Sequence, residues 1–107
     1  NTHPSMVLGT ADVRVIDMTA AFAAVARRGV SVTPYGITKV TTSEGKLLYQ
    51  HKPTAGSQLV EHCVAAGITD LLQAAVNTGT GRAAQIGRPV AGKTGTTTSN
   101  KDGWFLG

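Results

Sequence analysis

Val15, Met18, Phe22 and Val25 recur at three- and four-residue intervals and predict an amphipathic helix. Thr10 is placed to cap it. Asp12 puts negative charge in its first turn, Arg27 and Arg28 put positive charge in its last, and Gly29 reads as its stop. Past Gly29 the pattern changes to strand chemistry. Val30, Val32, Ile37 and Val40 stand among threonines, and Leu47-Leu48-Tyr49 follow. Ser43-Glu44-Gly45-Lys46 between them reads as a hairpin turn in which Gly45 supplies the positive φ. Residues 51–57 read as a loop. A second helix is predicted over 58–77, with Val60, Val64, Ile68, Leu71 and Ala75 on one stripe and Thr78-Gly79-Thr80-Gly81 ending it. After a short turn at 82–87, a strand runs from Val90 through Thr97. Residues 98–102 form a polar turn, and Trp104-Phe105-Leu106 begins another strand, where both aromatics pack. The order helix, hairpin, helix, hairpin predicts an α+β fold with antiparallel sheet and packing helices, not a βαβ series.

Composition narrows the function classes. A chain of 107 residues holds one core, and 41% hydrophobic residues with 15% charged exclude disorder as the main state. The single cysteine, Cys63, excludes an internal disulfide framework and a Cys-based zinc site, and reads as a small core residue of the second helix. His3, His51 and His62 lack metal-ligand spacing, so neither a metal nor another cofactor is implied. The net charge of +4 is dispersed, with Arg27-Arg28 the one adjacent basic pair, which argues against a nucleic-acid partner. No apolar run reaches the roughly 18 residues of a membrane span, and no signal peptide is visible. The chain starts at Asn1 and stops at Gly107 directly after an apolar aromatic stretch. It is therefore expected to be a piece of a longer protein, and missing targeting signals say nothing about the parent.

Two motif matches require weighing. Gly87-Arg-Pro-Val-Ala-Gly92-Lys93-Thr94 fits the phosphate-loop pattern G-x-x-x-x-G-K-[ST]. That chemistry needs a strand before the loop and a helix directly after it, to focus backbone N–H groups on phosphate. Here a helical turn precedes the loop, and Gly95 with three threonines follows, which starts helices poorly. Ser43-x-x-Lys46 fits the S-x-x-K nucleophile pattern, but that pair must stand one helical turn apart, and Ser43 lies in a predicted hairpin turn. Read as a strand, residues 90–97 send Lys93 to one face and Thr94 and Thr96 to the other. An ammonium and two hydroxyls suit a carboxylate. Gly95 lets a ligand lie against the backbone, and the Thr96 N–H is a candidate oxyanion donor. For these few residues alone, a Gly-Thr strand that simply packs or turns is the favoured reading.

Residues 88–106, Arg-Pro-Val-Ala-Gly-Lys-Thr-Gly-Thr-Thr-Thr-Ser-Asn-Lys-Asp-Gly-Trp-Phe-Leu, resemble the K-T-G region of class A penicillin-binding proteins, the peptidoglycan transpeptidases. Upstream, Pro4–Thr10, Met18–Ala23, Arg28-Gly29, Pro34-Tyr35, Ile37–Val40, Leu71–Gln73 with Val76, and Thr78–Arg82 resemble family segments in the same order. Gly103 stands where the family more often has alanine. The resemblance implies that residues 1–107 are the C-terminal portion of a serine beta-lactamase/penicillin-binding-protein-like transpeptidase domain. It implies catalytic roles for Lys93 (positive potential and proton relay) and Thr96 (oxyanion N–H). Thr94 and Thr96 are then the hydroxyls that hold the substrate carboxylate, and Gly95 gives clearance. The implied partners are peptidoglycan stem peptides, beta-lactams and the remainder of the domain, at the outer face of the cytoplasmic membrane. The family's helical S-x-x-K and its S-x-N motif have no counterpart in this chain, so the piece alone is expected to be inactive. A non-catalytic beta-lactam or peptide sensor is the alternative. Arg82, after Gly81, reads as a solvent-facing arginine rather than one lining the cleft mouth.

Overall fold

A computed structural model describes residues 3–107. Pro4–Leu8 form a turn of 3-10 helix closed by Gly9 at φ 90°. The chain then reaches helix α1, Val15–Ala26, in extended form, so Arg14 and not Thr10 is the N-cap residue. Thr10 bonds to Ser5 Oγ instead, and first-turn charge comes from Asp17, paired with Arg14 at 2.8 Å, rather than from Asp12. Arg27 and Arg28 lie just past the last turn. The N–H of Arg28 reaches Val25 O and that of Gly29 reaches Ala24 O, the two bonds of a Schellman ending. Arg28 takes the left-handed conformation at φ 61°, and Gly29 follows at φ 91°. Gly29 must be glycine for a second reason: a Cβ there would strike the Val60 carbonyl.

That contact belongs to a clasp. Leu59 N donates to Gly29 O at 2.8 Å, Ser31 N to Ser57 O at 2.8 Å, and Ser57 N to Ser31 Oγ at 2.8 Å. The clasp closes the neck of an excursion that contains a hairpin, β1 (Lys39–Thr41) paired antiparallel with β2 (Leu47–Gln50). Gly45 sits at φ 87° in its turn, as its position predicts, with Gly45 N bonded to Thr42 O at 2.9 Å. The expected strand character at Val30–Ile37 is reduced to a single bridge, Val30 with Gln58, because Pro34 and Gly36 interrupt the run.

Helix α2 covers His62–Asn77 and starts later than expected, since Gln58 and Leu59 are held in the clasp. Its buried face is Ala65 and Val76, flanked by half-buried Ile68, Thr69, Leu72 and Ala75. Leu71, placed on the stripe by periodicity, is 74% exposed; Val60 and Val64 are also exposed, and Cys63 is exposed rather than in the core. Periodicity identifies apolar positions but not what packs on them: α1 and the second hairpin meet α2 along 65/68/72/76, a face turned away from Cys63 and Leu71. That hairpin joins β3, Lys93–Thr96, antiparallel to β4, Gly103–Leu106. The α+β class and antiparallel pairing match expectation, with two separate two-stranded sheets.

Among the described residues only Ala24, Ala65 and Val76 are fully buried apolar residues. The radius of gyration is 17.5 Å, against about 13 Å for a compact domain of this length. Val7, Leu8 and Leu71 are 87%, 88% and 74% exposed, so much of the apolar surface lies outside this core. In the intact parent protein, Gly29→Ala is expected to destabilise by about 2 kcal/mol, read by denaturant titration, since the methyl meets backbone at a positive φ; an unchanged midpoint would contradict the clasp.

Candidate functional site

Strand β3 is held between α2 and β4. Gly92 N donates to Leu72 O of α2 at 3.2 Å, which anchors the start of the strand. Gly92 is buried, and a Cβ there would meet the Phe105 ring and, at 2.7 Å, Leu106 O. The aromatic at 105 therefore covers a glycine, and a bare backbone at 92 lets helix, strand and ring converge. Opposite Lys93 stands Leu106, and Thr94, Gly95 and Thr96 face Phe105, Trp104 and Gly103. Directly opposite residues share a face, so Lys93 and Gly95 lie on one side with Leu106 and Trp104, and Thr94 and Thr96 on the other with Phe105 and Gly103. Trp104 and Leu106 are half-buried, whereas Phe105 remains 44% exposed.

The turn at 97–102 sets which backbone groups face out. Thr97 N donates across the hairpin to Asp102 O at 3.1 Å, and Asp102 N returns to Thr97 Oγ1 at 2.8 Å. Ser99 and Asn100 take positive φ to complete the reversal. Successive N–H groups of a strand point to opposite edges. With Thr97 N–H toward β4 and Gly92 N–H toward α2, the N–H groups of Thr94 and Thr96 point away from β4, to an edge with no strand paired to it among the described residues. The Thr94 carbonyl points the same way, and Lys93 Nζ folds over to donate to it at 2.7 Å. An exposed ammonium and an outward N–H thus share one open strand edge. Among the described residues the one ion pair is Arg14–Asp17, so no carboxylate neutralises Lys93.

The structure brings Lys93, Thr94, Gly95 and Thr96 together on this edge. It separates them from Ser43 and Lys46, which lie at the β1–β2 turn, where Lys46 N bonds to Thr42 Oγ1 at 3.0 Å. No helix starts directly after Thr94, since β3 continues to Thr96 and only a 3-10 turn at Thr98–Asn100 comes later; the phosphate-loop geometry is not formed, and Ser43 and Lys46 do not share a helical face. Arg82 is exposed, as expected. Sequence reasoning gave Thr80 no role. Its hydroxyl lies 2.8 Å from that of Thr94; its position between two glycines directly after a helix was the available signal. Two grooves are present elsewhere: one runs along residues 47–53, and an apolar one of about 440 Å³ lies between α1, α2 and β4, lined by Phe22, Leu72 and Leu106. Neither includes Lys93–Thr96, whose surroundings are an open edge rather than a walled cleft.

A glycine pair separates structural from ligand clearance. Gly92→Ala in the intact protein is expected to lower the thermal midpoint by several degrees, because its methyl collides with Phe105 and backbone. Gly95→Ala is expected to leave the midpoint unchanged, since its Cβ meets only Trp104 Cβ at 3.7 Å, yet to slow reaction with ligand at the edge by tenfold or more. Equal effects of the two on stability would contradict this division.

Comparison with known proteins gives a consistent result. A family profile described as Penicillin binding protein transpeptidase domain matches residues 8–107. Penicillin-binding protein 1A of Neisseria lactamica is 38% identical over 109 residues, covering 96% of this chain and 14% of that protein. Penicillin-binding protein 1A of Aquifex aeolicus is 36% identical, again over 96% of this chain and 14% of its own length. The chain therefore spans about one seventh of these curated relatives. Among solved structures, the penicillin-binding protein PonA1 from Mycobacterium tuberculosis superposes with a TM-score of 0.80 at 32% identity, over 96% of this chain and 28% of that one. The D,D-transpeptidase domain of a peptidoglycan glycosyltransferase from Eggerthella lenta gives 0.77 at 35% identity, over 87% and 23%.

Proposed function

Because the chain belongs to the penicillin-binding protein transpeptidase family, we propose that it is the C-terminal portion of a serine-type D,D-transpeptidase domain and supplies one wall of its acylation site. The observation that carries this reading is the open edge of β3, where the Lys93 ammonium, which pairs with no carboxylate among the described residues, shares the edge with the outward Thr96 N–H. The parent protein cross-links peptidoglycan stem peptides on the outer side of the cytoplasmic membrane. No helix of the described residues is long and apolar enough to cross a membrane.

The chemistry is acyl transfer. A serine outside this sequence attacks the carbonyl between two terminal D-alanines, and negative charge develops on the carbonyl oxygen. The Thr96 N–H donates to that oxygen, and the backbone needs no reorganisation because the strand already directs it outward. The substrate's terminal carboxylate sits against the hydroxyls of Thr94 and Thr96, with Lys93 supplying positive potential and a proton path. Gly95 leaves the substrate's backbone room to run along the strand. The C–N bond breaks, D-alanine leaves as the amine, and an amine from a second stem peptide attacks the acyl-serine to form the cross-link. A beta-lactam presents a similar carboxylate and a strained amide, and stays on the serine.

Two measurements with a fluorescent penicillin check this. In the intact protein, Lys93→Met is expected to slow covalent labelling by about a hundredfold, the scale of losing a charge-stabilising group at a developing oxyanion. A labelling rate equal to the wild type would contradict the role of Lys93. The isolated 107-residue chain is expected to form no adduct, because the nucleophile lies outside it; a covalent adduct on it would overturn the assignment of parts.

A further inference from the structure

Thr94 has a polar neighbour that the acyl-transfer scheme leaves unused. Thr80 Oγ1 lies 2.8 Å from Thr94 Oγ1. It comes from the Thr78–Gly81 segment, which is fixed to the end of α2. Thr78 N and Gly79 N both donate to Ala74 O, at 2.9 and 3.1 Å, and Gly81 N donates to Ala75 O at 2.9 Å. Gly79 and Gly81 press so closely on that helix end that a Cβ at either would approach Ala75 within 2.9 and 3.2 Å. Gln85 Nε2 reaches over to Val76 O at 3.0 Å and holds the segment from its far side. The two glycines thus fit the segment against the helix end, and the intervening Thr80 stays exposed.

We propose that Thr80 is a positioning residue for the substrate carboxylate, acting through the hydroxyl of Thr94. The inference rests on the reading of Thr94 as a carboxylate-binding hydroxyl. A hydroxyl has one proton to give and two lone pairs to receive. When Thr94 donates its proton to a carboxylate, it cannot donate to Thr80, so Thr80 must donate to Thr94. The bound state therefore fixes the direction of the pair as Thr80 O–H to Thr94 Oγ1, and Thr94 O–H to carboxylate. Accepting that bond holds the Thr94 rotor with its proton toward the ligand and polarises it, so the second bond is stronger than one from a lone threonine. No proton is transferred and no bond is broken; the pair orients and strengthens one contact. The segment after α2 and the strand β3 are thereby joined in recognising an anion that Thr80 never touches.

The test uses the intact parent protein and measures second-order acylation rate constants for a penicillin with a free carboxylate and for its methyl ester. Thr80→Val removes the donor and keeps the shape. It is expected to slow acylation by the acid about fivefold, the scale of one hydrogen bond, and to leave the ester unchanged. Thr80→Ser, which keeps the hydroxyl, restores the wild-type rate. In the Thr94→Val background, Thr80→Val adds nothing, because its effect passes through the missing hydroxyl. Equal losses on acid and ester would show a merely structural role and overturn the proposal. A full rate for Thr80→Val beside an impaired Thr94→Val would overturn the proposal alone and leave the carboxylate reading of Thr94 standing. Thr94→Val without effect on the acid would remove that reading, and this inference with it. Should Thr80→Val fail to fold by its thermal midpoint, Thr80→Ala is measured against the same two ligands with the same expected outcomes.

Discussion

Strand β3 lies where it does because backbone approaches backbone at positions that carry no side chain. Gly92 lets the strand start against the Leu72 carbonyl of α2 with the Phe105 ring laid across it. Gly79 and Gly81 let the segment after α2 fold back on Ala75. A methyl at Gly92 or Gly79 would displace backbone, and one at Gly81 would crowd it. Packed interiors have little slack for such displacement. Once the approach is made, the direction of every N–H on β3 is set by strand alternation, and the two of Thr94 and Thr96 turn outward. The chemical character of the edge follows from this docking and not from the side chains alone.

The rest of the chain is organised around holding that hairpin and otherwise remains open. Among the described residues the buried apolar ones are an alanine from α1 and an alanine and a valine from α2, while Val7, Leu8 and Leu71 stand 87%, 88% and 74% exposed. The chain spans about one seventh of the curated relatives it matches, and the transpeptidase-domain profile matches residues 8–107. The clasp of Gly29 and Ser31 with Ser57 and Leu59 is of another kind: it is built from hydrogen bonds inside the chain and isolates the β1–β2 hairpin as a local excursion.

What was legible in the sequence follows the same division. Features with a local cause were readable. Gly45 and its polar neighbours gave the first hairpin turn, and the polar run 98–102 between apolar strands gave the second. Gly95 with its flanking threonines excluded a helix after Lys93, and this separated a strand from a phosphate loop whose letters match. Features with a tertiary cause were not readable. The start of α2 moved because Gln58 and Leu59 bond to Arg28 and Gly29 just past the end of α1, and the start of α1 moved because residues 10–14, after the 3-10 turn of Pro4–Leu8, form neither helix nor strand. The α2 stripe differed from its buried face because Leu71 and Val64 are apolar yet stand exposed among the described residues. Thr80 was invisible as chemistry because its meaning depends on a hydroxyl fourteen residues away.

In the proposed function the outward edge of β3 is the face on which the acyl group is formed. A crystal structure of the intact protein acylated by a beta-lactam tests it most directly. The account predicts the acyl carbonyl oxygen within about 2.7–3.1 Å of Thr96 N, the ligand carboxylate at the Thr94 hydroxyl, and Lys93 Nζ drawn off its own backbone carbonyl toward the site. An adduct whose carbonyl oxygen lies away from this edge, with Lys93 Nζ still on Thr94 O, would contradict it.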